Sequence, residues 1–306
     1  MIQKTFNEKG YEVSRGFRNT TVYRAAPCDL LLVINPINLK ETIEEFRNSE
    51  FAYYSGIRVE NIYDLGFLAE FQSLLYLEVV SEKPINVAPI ESLHNIRGLH
   101  VTELKNGLDF MNFPHLEIFL GKWHEKNQNL ESCRDLRSIF INNYNSKTKD
   151  FCELKNIVRL ENLHIIRSNI ESLKGIETLK DLKKLMIAYA PKLKDIYDIG
   201  KANLREIEFA KTRKIEDYHL FGNIEYLRKI ILDNCADIKD IKWISNLRNL
   251  DFFSFVETNI VDGDLNPLLD LPELRYVGYL NKKHYNFRME EINDRLLGVH
   301  SKNHSS

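Results

Sequence analysis

The sequence predicts an α/β solenoid, a stack of short repeats with parallel strands on one side and short helical turns on the other. A motif with apolar residues at positions 0, 3 and 5 occupies Leu160–Ile165 and recurs 22 residues later at Leu182–Ile187. Ten copies of this motif follow one another at a nearly constant period. A second apolar set, such as Ile170, Leu173 and Ile176, lies between successive copies. A sustained period of this length indicates a solenoid.

The spacing within each copy predicts its local structure. The copies begin at Leu74, Ile96, Phe113, Leu136, Leu160, Leu182, Leu204, Leu227, Leu250 and Leu271, in steps of 22, 17, 23, 24, 22, 22, 23, 23 and 21 residues. Positions 3 and 5 of a strand point inward, whereas positions 2, 4 and 6 point outward. The three-residue spacing between strands predicts a 3₁₀ turn or a short α segment. Because one unit buries too little apolar area to be stable alone, neighbouring strands are expected to pair into one parallel sheet.

This frame resembles the leucine-rich repeat, LxxLxLxxN/C, over about residues 50–280. At position 8 Cys235 fits the pattern, whereas other copies hold Ser168, Ala190, Thr212 and Thr258. The period and the Ile/Leu spacers are similar to the 22-residue class of bacterial internalin-like and phosphatase-regulatory proteins. The resemblance implies a leucine-rich-repeat horseshoe, with the parallel β-sheet on the concave face and short 3₁₀/α segments on the convex face. One scaffold serves many partners, so the resemblance alone does not identify a function.

Three segments follow from the period: an N-terminal cap (1–50), the leucine-rich repeats (51–280, about 10–11 units) and a C-terminal helical cap with a tail (281–306). A solenoid needs such caps to cover its terminal repeats. In the N-terminal cap, "DLLLVINP" predicts a strand and Asn38 the N-cap of a helix.

Two further features mark the ends of the array. Ile57 and Val59 occupy the strand positions of a degenerate first repeat. Asn286 is expected to cap a C-terminal helix whose buried face contains Met289, Ile292 and Leu296.

Composition excludes several classes of function. The formal net charge of −2 gives no general attraction to nucleic acid or to an anionic membrane. No apolar run approaches the roughly 18–20 residues of a membrane span, and the first residues lack the apolar core of a signal peptide. The four cysteines, Cys28, Cys133, Cys152 and Cys235, show no C-x-x-C spacing and are interpreted as reduced thiols. We therefore expect a cytoplasmic protein.

No catalytic motif is evident, and neither enzymatic activity nor a cofactor or structural metal is expected. Glycine-rich phosphate loops, H-E-x-x-H, G-x-S-x-G and EF-hand patterns are all lacking. The alternative is a metal- or ligand-dependent enzyme that uses His100 and His164, both at the outward position 4, with nearby carboxylates such as Glu117. The two histidines are predicted to lie three repeats apart, roughly 14 Å at about 4.8 Å per strand, too far to share one ion.

The outward strand positions are the predicted binding site. A sheet face without a function should be mostly polar, but here apolar and aromatic residues alternate with charges, the composition of interaction surfaces. The predicted partner-binding residues are Phe119, Phe140, His164, Ile166, Met186, Tyr189, Glu208, Ile231, Phe252 and Val256. The hypothesis is a non-enzymatic module that binds a protein partner on its concave face, as a bacterial immunity or inhibitor protein or as an adaptor. Two alternatives remain: another part of the chain covers this face, or the strand register is shifted in some repeats.

Overall fold

Short strands and short helical turns alternate along the chain. The computed structural model describes residues 5–6, 12–14, 31–48 and 56–303. Cys28 lies outside the described residues. The chain divides into two units, which meet in sequence between Asn142 and Asn143.

The first unit contains one mixed sheet in sequential strand order. Its strands are β1 (Thr5–Phe6), β2 (Glu12–Ser14), β3 (Leu31–Ile34), β4 (Gly56–Glu60), β5 (Tyr76–Val80), β6 (Gly98–Val101), β7 (Ile118–Lys122) and β8 (Ser138–Tyr144), whose last two residues belong to the second unit. The strands β1, β2 and β3 pair antiparallel, and β3 to β8 pair parallel. Between them lie α1 (Leu39–Asn48), α2 (Ala88–Glu91) and 3₁₀ turns at Gly66–Glu70, Phe110–Asn112 and Leu130–Ser132.

The second unit contains six parallel strands in sequential order. They are β9 (Asn162–Ser168), β10 (Lys184–Ala188), β11 (Glu206–Ala210), β12 (Lys229–Asp233), β13 (Phe252–Ser254) and β14 (Tyr276–Gly278). 3₁₀ turns occur at Cys152–Leu154, Ile176–Thr178, Tyr197–Lys201, Tyr218–Asn223, Lys242–Asn246 and Asn266–Leu268, and the helix α3 (Met289–Asn303) ends the described chain.

The predicted register is confirmed in most repeats. Position 3 of successive strands in the second unit is occupied by Leu163, Leu185, Ile207, Ile230 and Phe253, none of which exposes more than 1% of its surface. The strands align these residues with one another across the sheet. The predicted spacer residues Ile170, Leu173 and Ile176 are fully buried. Each repeat therefore contributes one tier of strand residues and one tier of turn residues to the core.

The register of two repeats differs from the prediction by three residues. In β7 the residue aligned with Leu99 and Ile139 is Phe119, which is fully buried, so Phe119 belongs to the core and not to the outward face. In β14 the residue aligned with Phe253 is Val277, also fully buried, whereas Tyr276 points outward and is 43% exposed.

Apolar residues at every third position explain both errors. Phe113, Leu116 and Phe119 are all buried, so either consecutive pair satisfies positions 0 and 3. The sequence pattern then depended on position 5. A repeat that starts at Phe113 has the apolar Ile118 there, whereas a repeat that starts at Leu116 has Gly121. In the structure Gly121 takes the inward position, where an added Cβ would lie 2.7 Å from the carbonyl oxygen of Val101. The close approach of the β6 backbone thus requires glycine at this point.

A left-handed residue ends most of the strands. Non-glycine residues with φ between 50° and 59° include Asn61, Asn143, Arg167, Tyr189, Lys211, Asn234 and Glu257, each seven residues after the start of its repeat. Four of their amides donate to the next repeat: Asn61 to Val80, Tyr189 to Ala210, Lys211 to Asp233 and Asn234 to Val256. The turn directs the following residue into the core, where Thr212, Cys235 and Thr258 are buried and hydrogen-bonded to one another.

Both ends contain the predicted elements, with different capping contacts. Asn38 directly precedes α1, but its Oδ1 accepts from the Asn35 amide. Asn286 does not cap α3: it accepts from the Leu265 amide and donates to Asp264. At the start of α3 the Arg288 amide instead donates to Glu291, in the manner of a capping box. Ile292 and Leu296 are buried as predicted, and Met289 is partly buried.

Candidate functional site: the strand face of the second unit

Packing within the first unit covers part of its outward strand face. Leu31, Tyr76 and Ile118 are buried there at 5% exposure or less, and Leu120 and Phe140 pack against them. Phe140 is therefore half-buried in an intramolecular cluster. All five residues of this cluster belong to strands, and Phe140 retains only partial access to a partner.

A buried ion pair lies beside this cluster. Arg58 donates from Nη1 to Glu78 at 2.8 Å and from Nε to Glu60 at 2.7 Å, and Glu78 is 5% exposed. Burial raises the pKa of Glu78, against the lowering effect of Arg58. Burial also lowers the pKa of His100 to about 4, and the Arg58 charge adds to this effect. These charges were not identified from the sequence, and their burial assigns them a structural role.

The second unit has a more accessible strand face, which we call the strand face. At its centre, position 4 of successive strands forms the aligned row His164, Met186, Glu208 and Ile231. All four side chains are partly buried and keep some contact with solvent. The structure thus brings together four of the predicted binding residues, and Ile166 lies two residues beyond His164 on the same side.

This partial burial shifts the pKa of two side chains on the strand face. Burial raises the pKa of Glu208, with contributions from Asp233 and Glu206, and Lys229 opposes the shift. Burial lowers the pKa of His164 to about 4, assisted by the neighbouring Lys184. The row therefore holds a neutral histidine and a carboxylate that is harder to ionise than usual, both features of a surface that is already partly dehydrated.

Aromatic residues lie at the end of the strand face. Phe252 stacks on Tyr276, with 5.0 Å between ring centroids and 23° between ring planes. The Lys229 ammonium lies 5.4 Å from the centre of the Phe252 ring. Val256 is 36% exposed and Tyr189 is 44% exposed. Tyr276 was not predicted because of the register error in β14, and it enlarges the aromatic part of this surface.

Within the described residues, Glu117 is not the strand neighbour of His100, and the carboxylate that acts on His164 is Glu206 in β11. Glu117 precedes β7 and lies 3.8 Å from Arg97 in an ion pair, whereas the strand partner of His100 in β7 is Leu120. His164 is aligned with Met186 and Asn162 begins its strand, so no carboxylate lies directly beside it in β10. Within residues 5–6, 12–14, 31–48 and 56–303, no group of three or more His, Cys, Asp or Glu side chains is arranged to hold a metal ion.

Among the described residues, no helix combines the length and the hydropathy needed to cross a membrane.

Solved structures with the same fold are leucine-rich-repeat proteins. An internalin from Listeria monocytogenes is 17% identical, covers 92% of this chain and 77% of its own, and has a TM-score of 0.61. A leucine-rich-repeat protein from Leptospira interrogans is 14% identical, with 86% and 68% coverage and a TM-score of 0.64. No protein-family model and no curated protein sequence matches the chain. The chain therefore has the leucine-rich-repeat fold, as the sequence resemblance implied.

A receptor also shares the fold. The plant peptide hormone receptor RGFR1, solved in complex with RGF2, is 13% identical, with 75% of this chain and 43% of the receptor covered and a TM-score of 0.52. At this identity the similarity concerns the fold alone.

Proposed function

We propose that this chain is a non-enzymatic protein-interaction module that binds a protein partner on the concave side of its repeats, through the strand face of the second unit. The observation that carries the proposal is the set of apolar and aromatic side chains that remain in contact with solvent there: Ile166, Met186, Ile231, Phe252, Val256 and Tyr276. A row of apolar residues flanked by charges is the composition of binding hot spots.

The receptor RGFR1, which has the same fold, was solved in a complex with RGF2, and this supports a binding role. The internalin and the Leptospira protein are bacterial, and this supports a bacterial origin. We infer a bacterial protein that acts as an immunity or inhibitor protein or as an adaptor. A cytoplasmic location accords with the three described cysteines, Cys133, Cys152 and Cys235, which are free thiols, the state that a reducing compartment maintains.

Aspartate substitutions at the centre of the strand face test the proposal. The Met186→Asp, Ile231→Asp double variant places two unpaired charges where the partner excludes water, and each lost apolar contact is worth on the order of 2 kcal/mol. Protein captured from the native host with the wild-type chain would be identified, purified and titrated against both chains. We expect its Kd to rise by at least about thirtyfold, the factor for a single such contact.

The matched control is Val158→Asp, which adds a charge at a 56% exposed site in the turn before β9. It is expected to bind like the wild type. Equal affinities of the double variant and the control would exclude the strand face as the interface. Circular dichroism and the Tm of each variant verify that the fold is retained.

A further inference from the structure

The ends of β9, β10 and β11 and the turns that follow them carry a concentration of positive charge. Six exposed cations lie in this part of three successive repeats, and we call them the basic rim: Arg167, Lys192, Lys194, Lys211, Arg213 and Lys214. Lys192 and Lys214 occupy equivalent positions of adjacent repeats, ten residues after Leu182 and Leu204. Like charges in such positions repel each other, which destabilises the free protein.

The cations of the basic rim differ from several other cations of the second unit in their ion pairs. Lys149, Lys183, Lys184 and Lys201 all form ion pairs with carboxylates at 2.6–2.9 Å. Within the described chain, by contrast, no cation of the basic rim lies in an ion pair. Asp195, Glu216 and Asp217 line an open cleft together with Lys194, Arg213 and Lys214. The oxygens of Asp195 accept from the Ser172 hydroxyl and the Tyr197 amide, and Arg213 donates to the Asn234 side chain. The six cations of the basic rim outnumber these three carboxylates and leave a net positive charge for a ligand.

Backbone strain marks the same place. Arg167, Tyr189 and Lys211 adopt the left-handed conformation with φ of 56–57°. This conformation costs a non-glycine residue roughly 1–2 kcal/mol, and asparagine, as at Asn234, accommodates it better. The same turn recurs in most repeats because it directs the following residue into the core, and at these three positions it holds exposed side chains other than asparagine.

The three strained side chains form one cluster. Tyr189 lies between two cations, with the Arg167 guanidinium 5.6 Å and the Lys211 ammonium 4.6 Å from its ring centre. Lys211 also donates to the Tyr189 hydroxyl at 3.2 Å. An exposed tyrosine fixed between cations is a pre-organised anchor for a partner, because little side-chain entropy is left to lose on binding.

We propose that the basic rim is a docking surface for a short, extended, acidic segment of a partner protein, with Tyr189 as its aromatic anchor. The next turns of the same rim carry the exposed acidic residues Asp237, Glu257 and Asp262 beside the exposed Lys239, so their net charge is negative. This change of sign limits an acidic ligand to about three repeats, roughly 15 Å at the strand spacing, and repels a longer polyanion such as a nucleic acid strand. The basic rim adjoins the end of the strand face at Tyr189, and its six cations are not part of the central row of the strand face.

The test uses a fluorescein-labelled oligoglutamate peptide and fluorescence anisotropy with the full chain. We expect saturable binding that weakens as salt is raised, and no binding of the matching oligoglutamine peptide. The Lys194→Glu, Lys211→Glu variant is expected to bind at least about tenfold more weakly, because two attractive charges become repulsive. The control variant, Lys155→Glu, Lys180→Glu, reverses the charge of two exposed lysines outside the basic rim. It should bind the peptide at least about tenfold more tightly than the rim variant does.

A second pair of variants tests the anchor. Both Tyr189→Asn and Glu257→Asn should raise the Tm through relief of strain, but only Tyr189→Asn should weaken peptide binding, by about tenfold. Equal peptide affinities of the rim variant and its control would overturn the proposal. So would tighter binding of a single-stranded oligonucleotide with the same number of charges, which would assign the basic rim to nucleic acid. Neither result bears on the strand face, whose variants are assayed separately.

Discussion

Replacement of Phe119 by alanine is expected to lower the free energy of unfolding by about 4 kcal/mol, the typical cost of truncating a fully buried phenylalanine. The Phe119 ring is fully buried and meets the ring of Phe110 edge-to-face, with 5.1 Å between centroids. The substitution leaves a cavity inside the apolar tier of β7, which the close-packed neighbours fill only in part. Urea denaturation followed by circular dichroism gives the difference directly.

The adjacent residue provides the control. Leu120 points to the opposite side of β7 and is only partly buried, so Leu120→Ala should cost about 1 kcal/mol. The sequence-based register makes a different prediction for Phe119, because it places this residue outward. A larger loss of stability in Leu120→Ala than in Phe119→Ala would therefore contradict the structure.

The strand register could be predicted from the sequence for the repeats that follow the apolar pattern most closely, and the reason is physical. In the second unit positions 3 and 5 are apolar in every repeat, as at Leu185 and Ile187, whereas the outward positions mix apolar, polar and charged residues. Only one register then buries the apolar set. At position 8 the leucine-rich-repeat resemblance implied a buried residue for Cys235, and in the structure Thr212 and Thr258 are buried there as well.

Phe119 and Tyr276 were misplaced because local composition was ambiguous. In both repeats a third apolar residue precedes the strand at the same spacing of three, as Phe113 and Leu271 do. The even spacing of repeats was the available signal: a start at Leu116 divides the interval from Ile96 to Leu136 into two steps of 20 residues, whereas a start at Phe113 divides it into 17 and 23.

The basic rim could not have been located from sequence. Asparagine is the usual signal of a left-handed residue, but tyrosine, lysine and arginine take that conformation at positions 189, 211 and 167. Lysines in "YAPKLKD" and "KTRKIED" are typical of any solvated surface, and only their common position at the strand ends brings them together. The absence of ion pairs among these described cations depends on three-dimensional contacts that a linear pattern does not encode.

Acidification is expected to destabilise the fold through His100 and His164. The pKa of each is lowered to about 4, mainly by burial, from an ordinary value of about 6.5 in the unfolded chain. Between these values the unfolded chain binds protons that the folded chain does not, so stability is retained above pH 6.5 and lost as the pH falls toward 4. We expect a loss of about 4 kcal/mol between about pH 7.5 and pH 5, about 2 kcal/mol from each histidine.

Comparison with the His100→Gln, His164→Gln variant isolates this contribution, because glutamine retains a polar side chain without a proton to gain. Glu78 and Glu208 act in the opposite direction, since burial raises their pKa and the folded chain takes up their protons first as the pH falls. Both carboxyls are present in wild type and variant, so they cancel in the difference. Denaturation curves at each pH should show a steeper loss of stability in the wild type. If the free energy of unfolding fell equally with pH in the two proteins, the histidines would take up protons in the folded state as readily as in the unfolded chain. Neither histidine would then be as dehydrated as the packing around Arg58 and Met186 implies.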